Sequence, residues 1–428
     1  MPAMNTNRIK TFVISLKRRT DRRAHIQHEF GQAPEFDCTI VDAFEHAVGA
    51  KGLWQTIQYI LNEYAVREEF VLICEDDHQF TSDYNKDLLF DSITIAMANN
   101  ADVLSGGVSW LNSAVQVDRH IYWMEKFTGL QFVIIFKKFY AAILTADFSD
   151  TDVADHKISS LAISKYVIHP FISTQKEFGY SDVTSRNAVL GRVTELFGKS
   201  MQNMLAVSEV QRFYAGHSGD NRQGEHVDDG CCITTYVVNN GCDNIEKYIQ
   251  AHFSDKPCFL PVVAETGVST GKSHWQSLPV LKHILADAVA NDEDVVIICD
   301  GLHRFTPAYS FRYLMKNILD AHALGADVLF GGANDFGLSV PISATRFWVG
   351  AVREPNFIVF FRSGISKLMM MPDGEISAEE GVLSGFSSNK MMVCPFVSAS
   401  EPDTEKRLAD IRKRYERHST VNGNDRLS

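Results

Sequence analysis

The stretch "VLICEDDHQFT", residues 71–81, runs four apolar residues into three consecutive carboxylates and a histidine, then resumes with Phe80. A short apolar run bounded in this way reads as a buried central strand of an α/β sheet. Glu75, Asp76 and Asp77 then emerge where the sheet ends and a ligand crevice opens. Alternation along an extended chain lets Glu75 and Asp77 face the same way. Two carboxylates on one side repel each other unless a cation lies between them, and a divalent metal bridging a diphosphate meets that need. The bland alternative, a solvated acidic loop that caps the next helix through Thr81 or Ser82, stays open on these residues alone.

The chain carries its own comparison, because "VIICDGLHRFT" at 296–306 repeats the frame with one of the three acids. Three pairs of anchors, Glu75 with Asp300, Ala101 with Ala326 and Pro170 with Pro395, are each separated by 225 residues. A period this long indicates two copies of one domain rather than a solenoid. Each copy opens with a β-rich run, "IKTFVISL" or "ITTYVVNN", followed by a helical pattern and then by alternating strands and helices. That order predicts α/β folding, with a mainly parallel, doubly wound sheet in each copy. The expected boundaries are a first domain at 1–214, a Gly/Asp-rich linker at 215–230, a second domain at 231–402, and a helix with a disordered tail at 403–428. His78 and His303 recur in both copies. They read either as ligands or as support for the shared turn.

At 428 residues and 45% hydrophobic content the chain can bury large cores. No run approaches the roughly 20 apolar residues that span a bilayer, so a cytoplasmic, unanchored protein is expected. Eight cysteines without a CxxC pair read as reduced core residues. A formal charge of −12 disfavours nucleic acid as a partner. In "EKRLADIRKRYERH" (405–418), Leu408, Ile411 and Tyr415 form one helical stripe beside six basic residues. It suits either packing on the second domain or peripheral contact with the inner face of a membrane. "TGVSTGKS" (266–273) has three residues between its glycines where a phosphate loop needs four. Trp54 and Trp275 occupy matching positions and read as packing residues or sugar platforms.

These motifs, taken in order, resemble glycosyltransferase family 25, the group of bacterial lipopolysaccharide glycosyltransferases and collagen galactosyltransferases. The resemblance rests on "FVISLKRRTDRR" (12–23), "IVDAF" (40–44), "VLICEDDHQF", "GLQFVIIFKKFYAAIL" (129–144) and "PFISTQKEFGYSDVT" (170–184). It implies a GT-A nucleotide-sugar fold, a divalent cation such as manganese, and inverting transfer from a UDP-sugar, often UDP-galactose, to a glycan or lipopolysaccharide-type acceptor. By position, Glu75 and Asp77 would serve the ribose and metal-diphosphate side, with Asp76 beside them. Arg18, Arg19, Arg22 and Arg23 lie in the turn that would face the nucleotide. One departure is "VGAKGLWQ" (48–55), where the family carries a Gly-rich turn with a Ser-His pair. The second copy keeps that pair in "TGKSHWQ".

An attacking hydroxyl needs a general base, and Asp152, Asp155 and Asp182 are the acids available after the distal strand. The second copy has Leu302 in place of an acid and no basic cluster, which predicts a diverged domain without metal. The competing functions are a non-catalytic sugar-nucleotide or glycan-binding protein and a metal-dependent hydrolase using Glu75, Asp77 and His78.

Overall fold

The structure, a computed structural model, describes residues 8–180, 189–217, 232–239, 244–265, 276–301, 303–372, 381–399 and 402–422. Two compact units are present, Met1–Ser208 with Arg417–Ser428 and Glu209–Glu416. The first begins with β1 (Ile9–Ser15), α1 (Thr20–Gly31), β2 (Phe36–Asp42), α2 (Gly49–Glu63) and β3 (Phe70–Glu75). It continues through β4 (His78–Phe80), α3 (Lys86–Ala98), β5 (Val103–Ser105), β6 (Trp110–Leu111), β7 (Ala114–Gln116), β8 (Ile121–Met124) and β9 (Phe127–Thr128). Then come β10 (Val133–Phe136), α4 (Lys137–Thr145), α5 (Ala154–Leu161), β11 (Lys165–Ile168) and β12 (Ser173–Gln175), and the division between units falls within α6 (Arg192–His217).

Eight strands form the main sheet in the order β2-β1-β3-β10-β5-β11-β8-β7. β1 is parallel to β2 and β3, whereas β10 is antiparallel to both β3 and β5. The sheet is therefore mixed, not mainly parallel as the alternation of strands and helices predicts. A parallel return needs a crossover, usually a helix. Between β5 and β10 the chain supplies only the short strands β6 to β9, and it re-enters the sheet in the opposite sense. The apolar run before the acids forms the expected central strand, with Val71, Leu72 and Cys74 fully buried and Ile73 1% exposed. Full burial of each such aliphatic contributes about 1.5–3 kcal/mol.

The second unit contains β13 (Ile233–Asn239), α7 (Ile245–Phe253), β14 (Phe259–Glu265), α8 (Leu278–Ala290), β15 (Val295–Asp300), α9 (Phe311–Ala323) and β16 (Val328–Phe336). β17 (Ser339–Pro341), β18 (Arg346–Val349), β19 (Val352–Phe361), α10 (Arg362–Met370), α11 (Val382–Gly385), β20 (Lys390–Val393) and α12 (Pro402–Asn422) as far as Glu416 complete it. Its sheet order, β14-β13-β15-β19-β16-β20-β18-β17, matches that of the first unit position by position. Along α12, Leu408 and Ile411 are buried, Thr404 donates to Asn334 O at 2.5 Å, and Arg407 pairs with Asp335 and stacks over Phe336. Leu408 and Ile411 are thus spent on packing the second unit and are not presented to lipid. No helix of the described residues is long and apolar enough to cross a membrane.

Candidate functional site

A cleft of about 290 Å³ opens at the carboxyl ends of β1, β2 and β3, beside the start of α2. Ser15, Arg18, Arg19, Glu45, Glu75 and Asp76 are among its lining residues. Its 43–49 wall is set by a contact that residue-type patterns do not reveal. A Cβ at Gly52 would lie 2.2 Å from Phe44 O, so only glycine lets α2 approach this closely. Thr56 Oγ1 then accepts from Phe44 N at 2.9 Å and donates to Gly52 O at 2.7 Å. The "VGAKGLWQ" departure is therefore a packing device at this wall.

The strand ends at Glu75, and Asp76 and Asp77 form a turn, so simple alternation does not extend through the triplet. Asp76 is 2% exposed and accepts from Ser15 Oγ at 2.8 Å, Arg19 Nη1 at 3.1 Å and Arg22 Nη1 at 2.9 Å. Asp77 Oδ2 accepts from the same Arg22 Nη1 at 3.0 Å, whereas Asp77 Oδ1 is buried without a partner. Burial pushes Asp77 up to about 6 against the opposing pull of Arg22. Glu75 is raised well above the usual carboxylate range, first by burial and then by the charges of Asp77, Asp155 and Asp76. Burial and the mutual repulsion of the acids thus oppose ionisation of Glu75, and Arg22 pulls the other way.

The four arginines do not share one turn: Arg18 lies in the turn, Arg19 caps α1, and Arg22 and Arg23 lie within that helix, because the helix starts at Thr20. Arg22 is 4% exposed, lies over the Phe178 and Tyr180 rings at 4.7 Å each, and donates to Tyr180 O at 2.8 Å. Arg23 donates to Asp42 Oδ1 at 2.5 Å and to Ser15 O at 2.9 Å. Arg18, more exposed, pairs with Glu45 at 3.4 Å. Of the four, Arg18 and Arg19 line the cleft.

His78 is fully buried against the Phe30, Phe80 and Phe132 rings, and its Nδ1 lies 2.8 Å from Ser173 Oγ. His303 repeats this arrangement with Phe253, Phe305 and Phe357, and its Nδ1 lies 2.6 Å from Ser398 Oγ. A buried imidazole in an aromatic box supports a turn; it is not presented as a ligand. Among the described residues no group of three His, Cys, Asp or Glu is arranged to hold a metal.

The acids considered as a general base separate in space. Asp155, in the first turn of α5, accepts from His156 N at 2.7 Å and from Gly129 N at 3.1 Å, and its charge reaches Glu75. Asp152 instead accepts from Ser149 N at 2.8 Å and pairs with Lys157 at 3.2 Å. Asp182 lies outside the described residues, as do Leu302, Trp275 and the Ser-His pair at 273–274. Trp54 is 1% exposed and stacked on Phe148 at 4.9 Å, which makes it a packing residue. In the second unit Gly301 holds the place of Asp76. A Cβ there would lie 2.6 Å from Val238 O, so the backbone excludes an acidic side chain at that point.

Fold and site define an α/β protein with an acidic, arginine-lined cleft at the carboxyl ends of parallel strands. Residues 8–51, which form β1, α1, β2 and the start of α2, match the family described as glycosyltransferase family 25 (LPS biosynthesis protein). No curated protein matches the chain. Among solved structures, A197 from STIV is similar at 13% identity with a TM-score of 0.29, covering 40% of this chain and 85% of that one. Apo UDP-glucose pyrophosphorylase is similar at 7% identity with a TM-score of 0.28, covering 46% of this chain and 82% of that one. The same enzyme complexed with UDP-glucose gives 7% identity, a TM-score of 0.29, and coverage of 45% and 81%.

Proposed function

We propose that the first unit is the donor-binding and catalytic half of an inverting glycosyltransferase that moves a sugar from a nucleotide sugar to a glycan acceptor. The observation that carries this reading is the cleft itself. Residues 8–51, which match the family, supply Ser15, Arg18, Arg19 and the 43–49 wall, and the end of β3 supplies Glu75 and Asp76 opposite them. Ligands of open α/β sheets bind at this end of the strands.

In this reading Arg18 and Arg19 face the donor phosphates, and Arg22 holds Asp76 and Asp77 in place. The acceptor hydroxyl loses its proton to a carboxylate base as its oxygen attacks the anomeric carbon. The bond from that carbon to the diphosphate oxygen breaks, and the nucleoside diphosphate leaves with the electron pair. Asp155 is favoured as the base over Asp152 because its charge reaches Glu75, whereas Asp152 is paired with Lys157. The residues also suit a divalent cation. Glu75 is surrounded by negative charge and Asp77 Oδ1 is buried without a partner, and manganese- or magnesium-type sites commonly use one or two carboxylates together with substrate phosphates. Such an ion, held by Glu75 and Asp77, would offset charge developing on the diphosphate.

The shared strand order and the repeated His–Ser pair favour a tandem duplication in which the second unit is a diverged, non-catalytic copy. The test is calorimetry of the full chain with UDP and a panel of UDP-sugars, with and without manganese, followed by assays of donor consumption with glycan acceptors. Saturable UDP binding that is lost in Glu75→Gln supports the cleft. Binding without turnover of any donor would support a non-catalytic sugar-nucleotide-binding protein, and absence of nucleotide binding would overturn the donor site.

A further inference from the structure

Residues 176–180 follow β12 and pack against α1 beside the acidic turn. Lys176 N donates to Asp77 O at 2.7 Å, which ties this segment to the backbone of the acids. The ring centroids of Phe178 and Tyr180 each lie 4.7 Å from the guanidinium carbon of Arg22. Tyr180 O accepts from Arg22 Nη2 at 2.8 Å, and the Tyr180 hydroxyl donates to Asp21 at 3.0 Å. The other terminal nitrogen of Arg22, Nη1, donates to Asp76 at 2.9 Å and to Asp77 at 3.0 Å.

An arginine is long enough to reach a carboxylate from several rotamers, so what packs against its planar head decides its direction. Here two rings and a carbonyl fix the guanidinium, and the guanidinium fixes two adjacent carboxylates.

The second unit supplies a comparison within the same chain. His25 Nε2 lies 2.8 Å from His78 O, and the Tyr248 hydroxyl donates to His303 O at the matching point. Phe30 lies against His78 as Phe253 lies against His303. Both pairs are 223 residues apart, and the same spacing sets Ile245 opposite Arg22. Ile245 Cδ1 is 3.0 Å from the point that a Cβ on Gly301 would take, and Gly301 holds the place of Asp76. Arginine and acid are thus replaced together, by isoleucine and glycine, while the helix keeps its contacts with the buried histidine. The shared fold does not require the charged pair, so the clamp on Arg22 serves the acids.

We propose that Phe178 and Tyr180 are positioning residues for the cleft of the first unit. Their rings clamp Arg22, and Arg22 in turn sets the Asp76 and Asp77 carboxylates for the donor diphosphate. The Tyr180 ring also lies 5.9 Å from the guanidinium carbon of Arg19, which lines the cleft and donates to Asp76 at 3.1 Å. The assignment rests on the donor-binding reading of this unit.

The test is calorimetry of the full chain with UDP and manganese, with thermal melting as the folding control. Phe178→Leu and Tyr180→Leu remove one ring each and leave the Tyr180 carbonyl in place. Each should weaken UDP binding at least about fivefold, the scale of a desolvated cation–π contact. Tyr180→Phe keeps the ring and should bind within about twofold of wild type, because an exposed hydrogen bond to Asp21 is all it loses. In an Arg22→Lys background, which lacks the planar head, the leucine changes should add little, since both act through one group. Either leucine variant decides the question if the other does not fold. Leucine variants that fold and bind as wild type, or a loss equally large in Tyr180→Phe, would overturn the clamp alone. Absence of UDP binding in the wild type would overturn the donor reading and the clamp with it.

Discussion

Arg22 donates to one oxygen of Asp77 at 3.0 Å and leaves the other, Oδ1, buried without a partner. The carboxylate is thereby anchored on one side and unused on the other. This is the arrangement expected of an acid that a fixed arginine orients toward a bound charge.

Asp77→Asn should keep the fold and lose cation-assisted UDP binding, because Arg22 retains its 2.9 Å contact with Asp76. Affinity in the presence of manganese should fall at least about tenfold, close to 1.4 kcal/mol. Titration of the purified variant, with a urea melt as the folding control, checks this. Wild-type affinity and turnover in a folded Asp77→Asn protein would remove Asp77 from the site.

Arg22→Met should be the more damaging change to stability. It strips the 4%-exposed cation from two carboxylates at once and leaves Asp77 without its only charge-paired side chain among the described contacts. Breaking a buried pair by removing one partner typically costs about 3–5 kcal/mol. Denaturant midpoints should show a drop of that order, larger than for Arg18→Met, whose partner Glu45 is exposed.

Gly52→Ala tests the wall of the cleft independently of its charges. The added methyl would meet Phe44 O at 2.2 Å, so α2 or the 43–49 segment must shift. Nucleotide affinity should fall several-fold and stability by about 1–3 kcal/mol. Unchanged affinity with a normal melt would show that the wall does not touch the ligand.

His303 supplies a pH dependence. Burial, with added repulsion from the nearby His252 and Lys256, lowers its pKa from the ordinary 6.5 to about 3. Between those values the unfolded chain binds the proton and the folded chain does not, so stability rises with pH from about 3 to 6.5 and is fully present above that window. Acidification below 6.5 should remove stability with a limiting slope of about 1.4 kcal/mol per pH unit from this one group. Comparing denaturant melts of wild type and His303→Gln from pH 7 to pH 4.5 checks the sign. The variant should show the shallower slope, and an equal or steeper one would contradict it.

Much of this protein is local chemistry and can be read along the chain. Four apolar residues followed by acids make β3 and place Glu75 at its end, because a strand buried on both faces must be apolar until it leaves the sheet. The 225-residue spacing of matching anchors already pointed to two like units, and the two sheets share one strand order. Other features depend on partners distant in sequence. β10 enters antiparallel between β3 and β5 because no helix carries the chain back for a parallel return. Which arginine holds which acid was equally illegible, since the four lie within six residues across the start of α1 and their charge alone does not rank them. Asp76 meets Ser15 across 61 residues and Arg22 across 54, and Arg22 meets the Tyr180 carbonyl across 158. Composition selects residue types and periodicity selects strands and helices, but the commitment of a buried side chain to one partner is made only when the tertiary structure removes water from both.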